Sequence, residues 1–238
     1  MARVYFPLPN TDFDVTESAV PWKLLTRAGH SVTFGTPDGG PAGCDPLTLN
    51  GVLFGQLGAF AEPCTFYREM AESSEFRAPL AYDAVDISAF DAVWYSGGHA
   101  QGMKPYLESE LLQQQTREFW AIGKPIAAIC HGVIVLARSG VLAGVKTTCL
   151  PKYMELCAWS ITAWKLGNYY RTYPETVQDE IIRRGGLFQR DPFTLFSRGT
   201  EADDSAAFVV EDGHYLSGRW PGDAYLLARK LIGRLPPA

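Results

Sequence analysis

The sequence predicts an α/β fold in which helices sandwich a parallel sheet. Three observations carry that expectation. The first forty residues alternate strand, helix, strand; the alternation resumes near residue 90; and a short apolar run, Pro125-Ile126-Ala127-Ala128-Ile129-Cys130, meets His131-Gly132 and then a helical pattern. Strands joined through a helix run parallel, since the crossover carries the chain back to the edge where it began. At 238 residues and 47% hydrophobic, the chain has the length for one domain with a large core, and residues 1–238 read as a single domain.

Residues 3–8 read as a buried strand, and a polar turn through Asn10-Thr11-Asp12 leads into a helix over about 14–28 that Gly29 stops. Residues 30–34 form the second strand, closed by Thr36-Pro37-Asp38-Gly39-Gly40. Residues 41–82 break the rhythm, with glycines at Gly51, Gly55 and Gly58 and an acidic, partly helical piece over 66–76; this reads as a small cap insertion over one edge. The alternation then gives strands over 90–95 and 125–130, helices over 108–122 and 133–139, a further strand over 144–150, a Trp-rich helix over 152–166 and a helix over 175–184. Residues 207–218 form a hairpin turning at Asp212-Gly213, and 221–232 a closing helix with Pro221 in its first turn.

Charge and cysteine usage narrow the function classes. The chain has 21 basic and 26 acidic residues, a net charge of -5 and no run of five Lys or Arg, which argues against a nucleic-acid stripe or a polybasic membrane anchor. The amino terminus reaches Pro7 and Asn10 before any apolar core of a signal peptide forms, and reads as a first strand. No apolar stretch approaches the roughly 18 residues of a membrane span. Five cysteines, without a C-x-x-C or a Cys/His set at zinc spacing, read as reduced thiols in a cytoplasmic protein that binds no metal. No G-x-G-x-x-G follows the first strand, so no nucleotide cofactor is expected.

The chemistry concentrates at Ala128-Ile129-Cys130-His131-Gly132. Small residues two before and two after the cysteine match the nucleophile elbow G-x-S-x-G with sulfur in place of oxygen, because the sharp turn leaves no room for bulk on either side. Cys130 is the candidate nucleophile and His131 the candidate base. A following helix start is expected to favour the thiolate and to offer N–H groups to an oxyanion. A second loop, Ser96-Gly97-Gly98-His99, follows an apolar strand. Gly97 and Gly98 let the backbone approach a ligand and supply N–H donors, and His99 is a candidate pocket wall. Asp12, Asp14 and Glu17 lie after the first strand, at the edge where open α/β sheets bind ligands; Asp12 and Asp14 read as helix-capping carboxylates.

Taken together, the Gly-Gly-His loop, the A-I-C-H-G elbow and the tail from Asp212 to Pro221 resemble the ThiJ/PfpI superfamily, a branch of the class I glutamine-amidotransferase-like folds. The resemblance implies a flavodoxin-like parallel sheet and a carboxylate from the first helix beside the cysteine; Glu17 occupies that position. The glyoxalase III and chaperone branch, which the extended cap favours, adds an acid that orients the histidine, and Glu155 is the nearest carboxylate. It further implies a homodimer. The aromatic segment with Trp159, Trp164, Tyr169, Tyr170 and Tyr173 departs from that branch and reads as core and dimer packing, with reshaping of the pocket as the other reading.

The function expected on these grounds is cofactor-independent conversion of a small reactive carbonyl, a 2-oxoaldehyde becoming a 2-hydroxy acid through a Cys130 adduct. Two rivals stand beside it. One is an amidase or peptidase using a Cys130 acyl-enzyme, and the other a redox sensor or holdase-type chaperone with an oxidisable Cys130.

Overall fold

A computed structural model describes residues 1–52, 57–191, 193 and 197–237; Gly55, one of the glycines assigned to the cap, lies outside them. The first unit forms as expected: β1 (Arg3–Pro7), α1 (Val15–Arg27) and β2 (Ser31–Thr36). Val4, Tyr5, Phe6 and Pro7 are all buried, the continuous apolar run of a strand covered on both faces. Helix α1 starts at Asp14, whose Oδ1 accepts from the N–H groups of Thr16 and Glu17 at 2.8 and 3.0 Å.

Between residues 41 and 82 the chain builds α2 (Pro46–Asn50), α3 (Ala61–Glu72), α4 (Ser74–Arg77) and β3 (Leu80–Ala81). Helix α3 packs on α1, while β3 pairs parallel to β2. There follow β4 (Ala92–Tyr95), α5 (Lys104–Leu107), α6 (Glu110–Ile122), β5 (Ile126–Ile129) and α7 (Val133–Ser139). The last third contains β6 (Lys146–Thr147), α8 (Lys152–Leu166), α9 (Val177–Arg183), β7 (Leu187–Phe188), β8 (Val209–Asp212), β9 (Tyr215–Gly218) and α10 (Ala224–Ile232).

The central sheet has seven strands in the order β3-β2-β1-β4-β5-β9-β8, parallel throughout except for the β8–β9 hairpin. Helices α1, α3 and α10 pack as one group and α6, α7 and α9 as another. One expectation is corrected. The strand read over 144–150 is only two residues long and pairs with β7 in a separate two-stranded sheet. Beyond it the backbone is held by a side chain, with the Thr148 N–H donating to Ser217 Oγ at 2.9 Å. No helix among the described residues is long and apolar enough to cross a membrane.

The β9 end of the sheet is tied by a buried ion cluster. Arg219 is fully buried and donates to Asp223 Oδ2 through Nε at 2.8 Å and to Asp191 Oδ2 through a terminal nitrogen at 2.5 Å. Tyr153 of α8 donates to the same Asp191 oxygen at 2.9 Å. Removing the cation strands two buried carboxylates, and a broken buried pair costs about 3–5 kcal/mol. Arg219→Met is therefore expected to lose about that much in urea unfolding at neutral pH. A loss below about 1 kcal/mol would show that the cluster contributes little.

Candidate active site

Three loops distant in sequence meet at the carboxyl ends of neighbouring strands β1, β4 and β5. Strand β1 lies inside the sheet with β2 on one side and β4 on the other, so successive connections leave in opposite directions and open the crevice where doubly wound sheets bind ligands. The loop after β1 and the first turn of α1 bring Asp14 and Glu17, the loop after β4 brings Gly97 and Gly98, and the end of β5 brings Cys130.

Cys130 has φ 57°, a left-handed conformation that a non-glycine side chain adopts at a cost of roughly 1–3 kcal/mol. The elbow is therefore present as the sequence predicts. Its tightness is visible at Gly132, where a Cβ would stand 2.5 Å from the Tyr95 carbonyl oxygen. Gly97 is as confined: a Cβ there would lie 2.5 Å from Glu17 Oε2 and 2.8 Å from both Cys130 Cβ and the His131 nitrogen. The glycine thus allows the carboxylate, the thiol and the elbow backbone to approach one another.

Glu17 is fully buried. Its Oε2 accepts from the Gly97 N–H at 2.9 Å, so that N–H points to the carboxyl and not to an oxyanion, the role expected of it from the sequence. Oε1 is sealed from solvent and aligned with no donor, while the carboxyl stands close enough to the Cys130 thiol to interact with it. Burial, and then the nearby Asp14, push Glu17 well above the usual carboxylate range, toward its protonated form. The thiol shifts the same way: burial, and then Glu17, push Cys130 well above the ordinary cysteine value. The expectation of a resting thiolate is corrected, because loss of solvation outweighs what the following seven-residue helix supplies.

His131 is oriented by Thr172, not by Glu155. His131 Nδ1 lies 3.4 Å from Cys130 Sγ and Nε2 lies 3.2 Å from Thr172 Oγ1. The Thr172 hydroxyl donates its one proton to the His99 carbonyl at 2.5 Å, so toward the ring it only accepts. Nε2 must then carry the proton and Nδ1 turns its lone pair to the sulfur. Burial and the neighbouring His99 hold His131 down at about 3, which keeps the ring neutral. Glu155 is occupied elsewhere, accepting from the Val177 N–H at 2.9 Å and pairing with Arg171 at 3.3 Å; burial pushes it up to about 7.

Cys130, Glu17, Gly98, His99 and Glu155 line one cavity of about 90 Å³. Thr48 and the 57–59 stretch of the expected cap form part of its wall. Asp14 also faces it, pushed up to about 6 by burial. Asp12 reaches across to the second loop, its Oδ2 accepting from the Gly102 N–H at 2.8 Å. His99 is buried and held down at about 3 by its burial. Its ring stacks on Tyr170 at 4.4 Å and meets Tyr169 edge-on at 4.6 Å. Part of the aromatic segment thus shapes the pocket, whereas Trp164 is exposed. Among the described residues no cluster of three His, Cys, Asp or Glu is placed to hold a metal ion.

Thr172 and Arg198 were not among the residues singled out in the sequence. Thr172 is one hydroxyl in an aromatic stretch beyond α8, and Arg198 stands in Phe196-Ser197-Arg198-Gly199 without periodicity. Neither carries a local signal: Thr172 meets His99 and His131 in the loops after β4 and β5, and Arg198 lines the cavity where it donates to the Gly58 carbonyl.

A buried thiol on a strained strand-to-helix elbow, with a neutral imidazole and a buried carboxyl beside it, defines a class I amidotransferase-like arrangement on a doubly wound sheet. A family model described as ThiJ/PfpI family-like matches residues 8–181, and the chain belongs to that family. An uncharacterized protein of Schizosaccharomyces pombe, C14C4.04, is 26% identical over 94% of this chain and 80% of its own length. A deglycase of Thermococcus kodakarensis is 29% identical over 64% of this chain and 67% of its own. Among solved structures, glyoxalase III of Candida albicans superposes with a TM-score of 0.70 at 18% identity, covering 99% of this chain and 98% of that one.

Two outcomes follow from the site. Thr172→Val removes the acceptor that fixes the ring, so nitrogen NMR of His131 is expected to change from the Nε2–H form to a mixture, while Thr172→Ser retains it. An unchanged tautomer in the valine variant would contradict the assignment. At neutral pH, iodoacetamide is expected to modify the partly exposed Cys157 before Cys130, because the buried thiol is un-ionised; peptide mapping that finds Cys130 modified first would reverse that order.

Proposed function

We propose that the protein is a cysteine-dependent enzyme that converts small 2-oxoaldehydes to 2-hydroxy acids without a cofactor. The observation that carries this reading is the composition of the cavity and its back wall: the Cys130 thiol and the Glu17 carboxyl line about 90 Å³, and the His131 Nδ1 lone pair stands 3.4 Å behind the sulfur. By that measure one water occupies roughly 10–15 Å³. The space suits a molecule of a few carbons, and a peptide chain would not enter without displacing the walls.

The thiol adds to the aldehyde carbon, forming a C–S bond, as His131 Nδ1 takes the sulfhydryl proton and passes it to the carbonyl oxygen. Coupling the two transfers avoids a standing thiolate–imidazolium pair in a low-dielectric cavity. The Gly98 N–H is the donor the second loop offers to the developing oxyanion, since that of Gly97 is held by Glu17. His131 then moves the proton of the former aldehyde carbon to the adjacent carbonyl carbon through an enediol. The resulting thioester reacts with one water, releasing the 2-hydroxy acid and restoring the thiol. Glu17, as an un-ionised carboxyl, keeps negative charge away from the sulfur before attack and hydrogen-bonds it afterwards.

The deglycase and glyoxalase III named among the relatives and structures support chemistry on reactive carbonyls. The measurement that tests the proposal is 2-hydroxy-acid formation from methylglyoxal in the absence of glutathione. Wild type is expected to turn over, Cys130→Ser to fall to background, and Glu17→Gln to lose roughly 10²–10⁴-fold in kcat. Absence of turnover in wild type with a reduced thiol would end the proposal and favour hydrolysis or redox sensing.

A further inference from the structure

Arg198 is the one basic side chain lining the cavity among the described residues. Its guanidinium stands over the rings of Phe60 and Trp220, 5.2 and 5.6 Å from their centroids, and donates to the Gly58 carbonyl oxygen. No carboxylate of the described residues comes within 4.0 Å of it, in contrast to the paired Arg138, Arg171 and Arg219. A guanidinium has five N–H donors in a planar fork that matches a carboxylate, and none of those on Arg198 is an inaccessible orphan.

The other side chains of the cavity mark this end as polar. Tyr170, stacked on His99, lies close enough to Arg198 to interact electrostatically. Asp14, the acid that Arg198 senses, has its Oδ1 taken by the first turn of α1. Glu155 already faces Arg171 and the Val177 N–H, and Glu17 Oε2 is taken by the Gly97 N–H. Within one small enclosure, the reactive sulfur and an unpaired cation therefore serve as two separate points of attachment.

We propose that the preferred substrate carries a carboxylate at the end remote from its reacting carbonyl, and that Arg198 binds that carboxylate while Cys130 takes the aldehyde. This names the substrate class of the carbonyl reading above and rests on it. A paired charge at the far end fixes the substrate end to end, which a neutral 2-oxoaldehyde of similar length cannot achieve. The reaction itself is unchanged: addition of the thiol, proton transfer between adjacent carbons and hydrolysis by one water.

The test compares kcat/KM for 4,5-dioxopentanoate, which bears the carboxylate, with that for 2-oxopentanal, its uncharged counterpart, and with methylglyoxal. Wild type is expected to prefer the acid by about 10- to 100-fold, the worth of a charge-assisted hydrogen-bonded pair. Arg198→Met should abolish that preference, losing at least about tenfold more in kcat/KM on the acid than on either neutral substrate, and Arg198→Lys should restore part of it. Equal loss on all three substrates would make Arg198 a structural residue, and turnover of methylglyoxal without any preference for the acid in wild type would overturn the inference alone. Turnover of none of the three would remove the carbonyl reading instead.

Discussion

The site depends on how the first turn of α1 is fastened to the end of β4. Pro21 lies inside α1 and has no N–H, so the carbonyl of Glu17, four residues earlier, lacks its helical partner. A buried carbonyl left in that state is costly, and two side chains from β4 and its loop satisfy it: Trp94 Nε1 donates at 2.9 Å and Ser96 Oγ at 3.1 Å. Tyr106 in turn holds the Ser96 carbonyl at 3.1 Å. The proline that weakens the helix thereby opens the bond that fixes Glu17 against the sheet, with its carboxyl directed at Gly97 and the thiol.

Around that anchor, burial governs the electrostatics. A cavity with Asp14, Glu17 and Glu155 in its lining would be strongly repulsive were all three ionised, and burial raises each toward its neutral form. The two histidines respond in the opposite sense and stay neutral. The resting thiol and imidazole are both uncharged, and the reactivity of the pair lies in the alignment of Nδ1 with the sulfur. Thr172 supplies that alignment through a hydroxyl whose single proton is already bound to the His99 carbonyl.

Much of this was legible in local sequence because local physics produces it. Apolar runs of strand length gave β1, β4 and β5, and Asp212-Gly213 gave the β8–β9 turn. The Cys130 elbow was readable from the small residues the turn demands, and its positive φ agrees. Where the reading erred, a tertiary partner outweighed a local preference. The β-prone stretch after Gly144 meets β7 and Ser217 instead of the central sheet. Glu155, the nearest carboxylate in sequence, is drawn away by Arg171 and the Val177 N–H.

By itself the sequence determined the alternation of elements, the elbow and the kind of atom presented there, since period, turn chemistry and side-chain size act over a few residues. Which groups surround that atom was decided only in the tertiary structure. Thr172 lies 41 residues from His131 and the Glu17 carbonyl 77 from Trp94, and the protonation of Glu17 and Cys130 follows from their exclusion from water. Solvation and hydrogen-bond partners belong to the assembled enclosure, and no window of neighbouring residues encodes them.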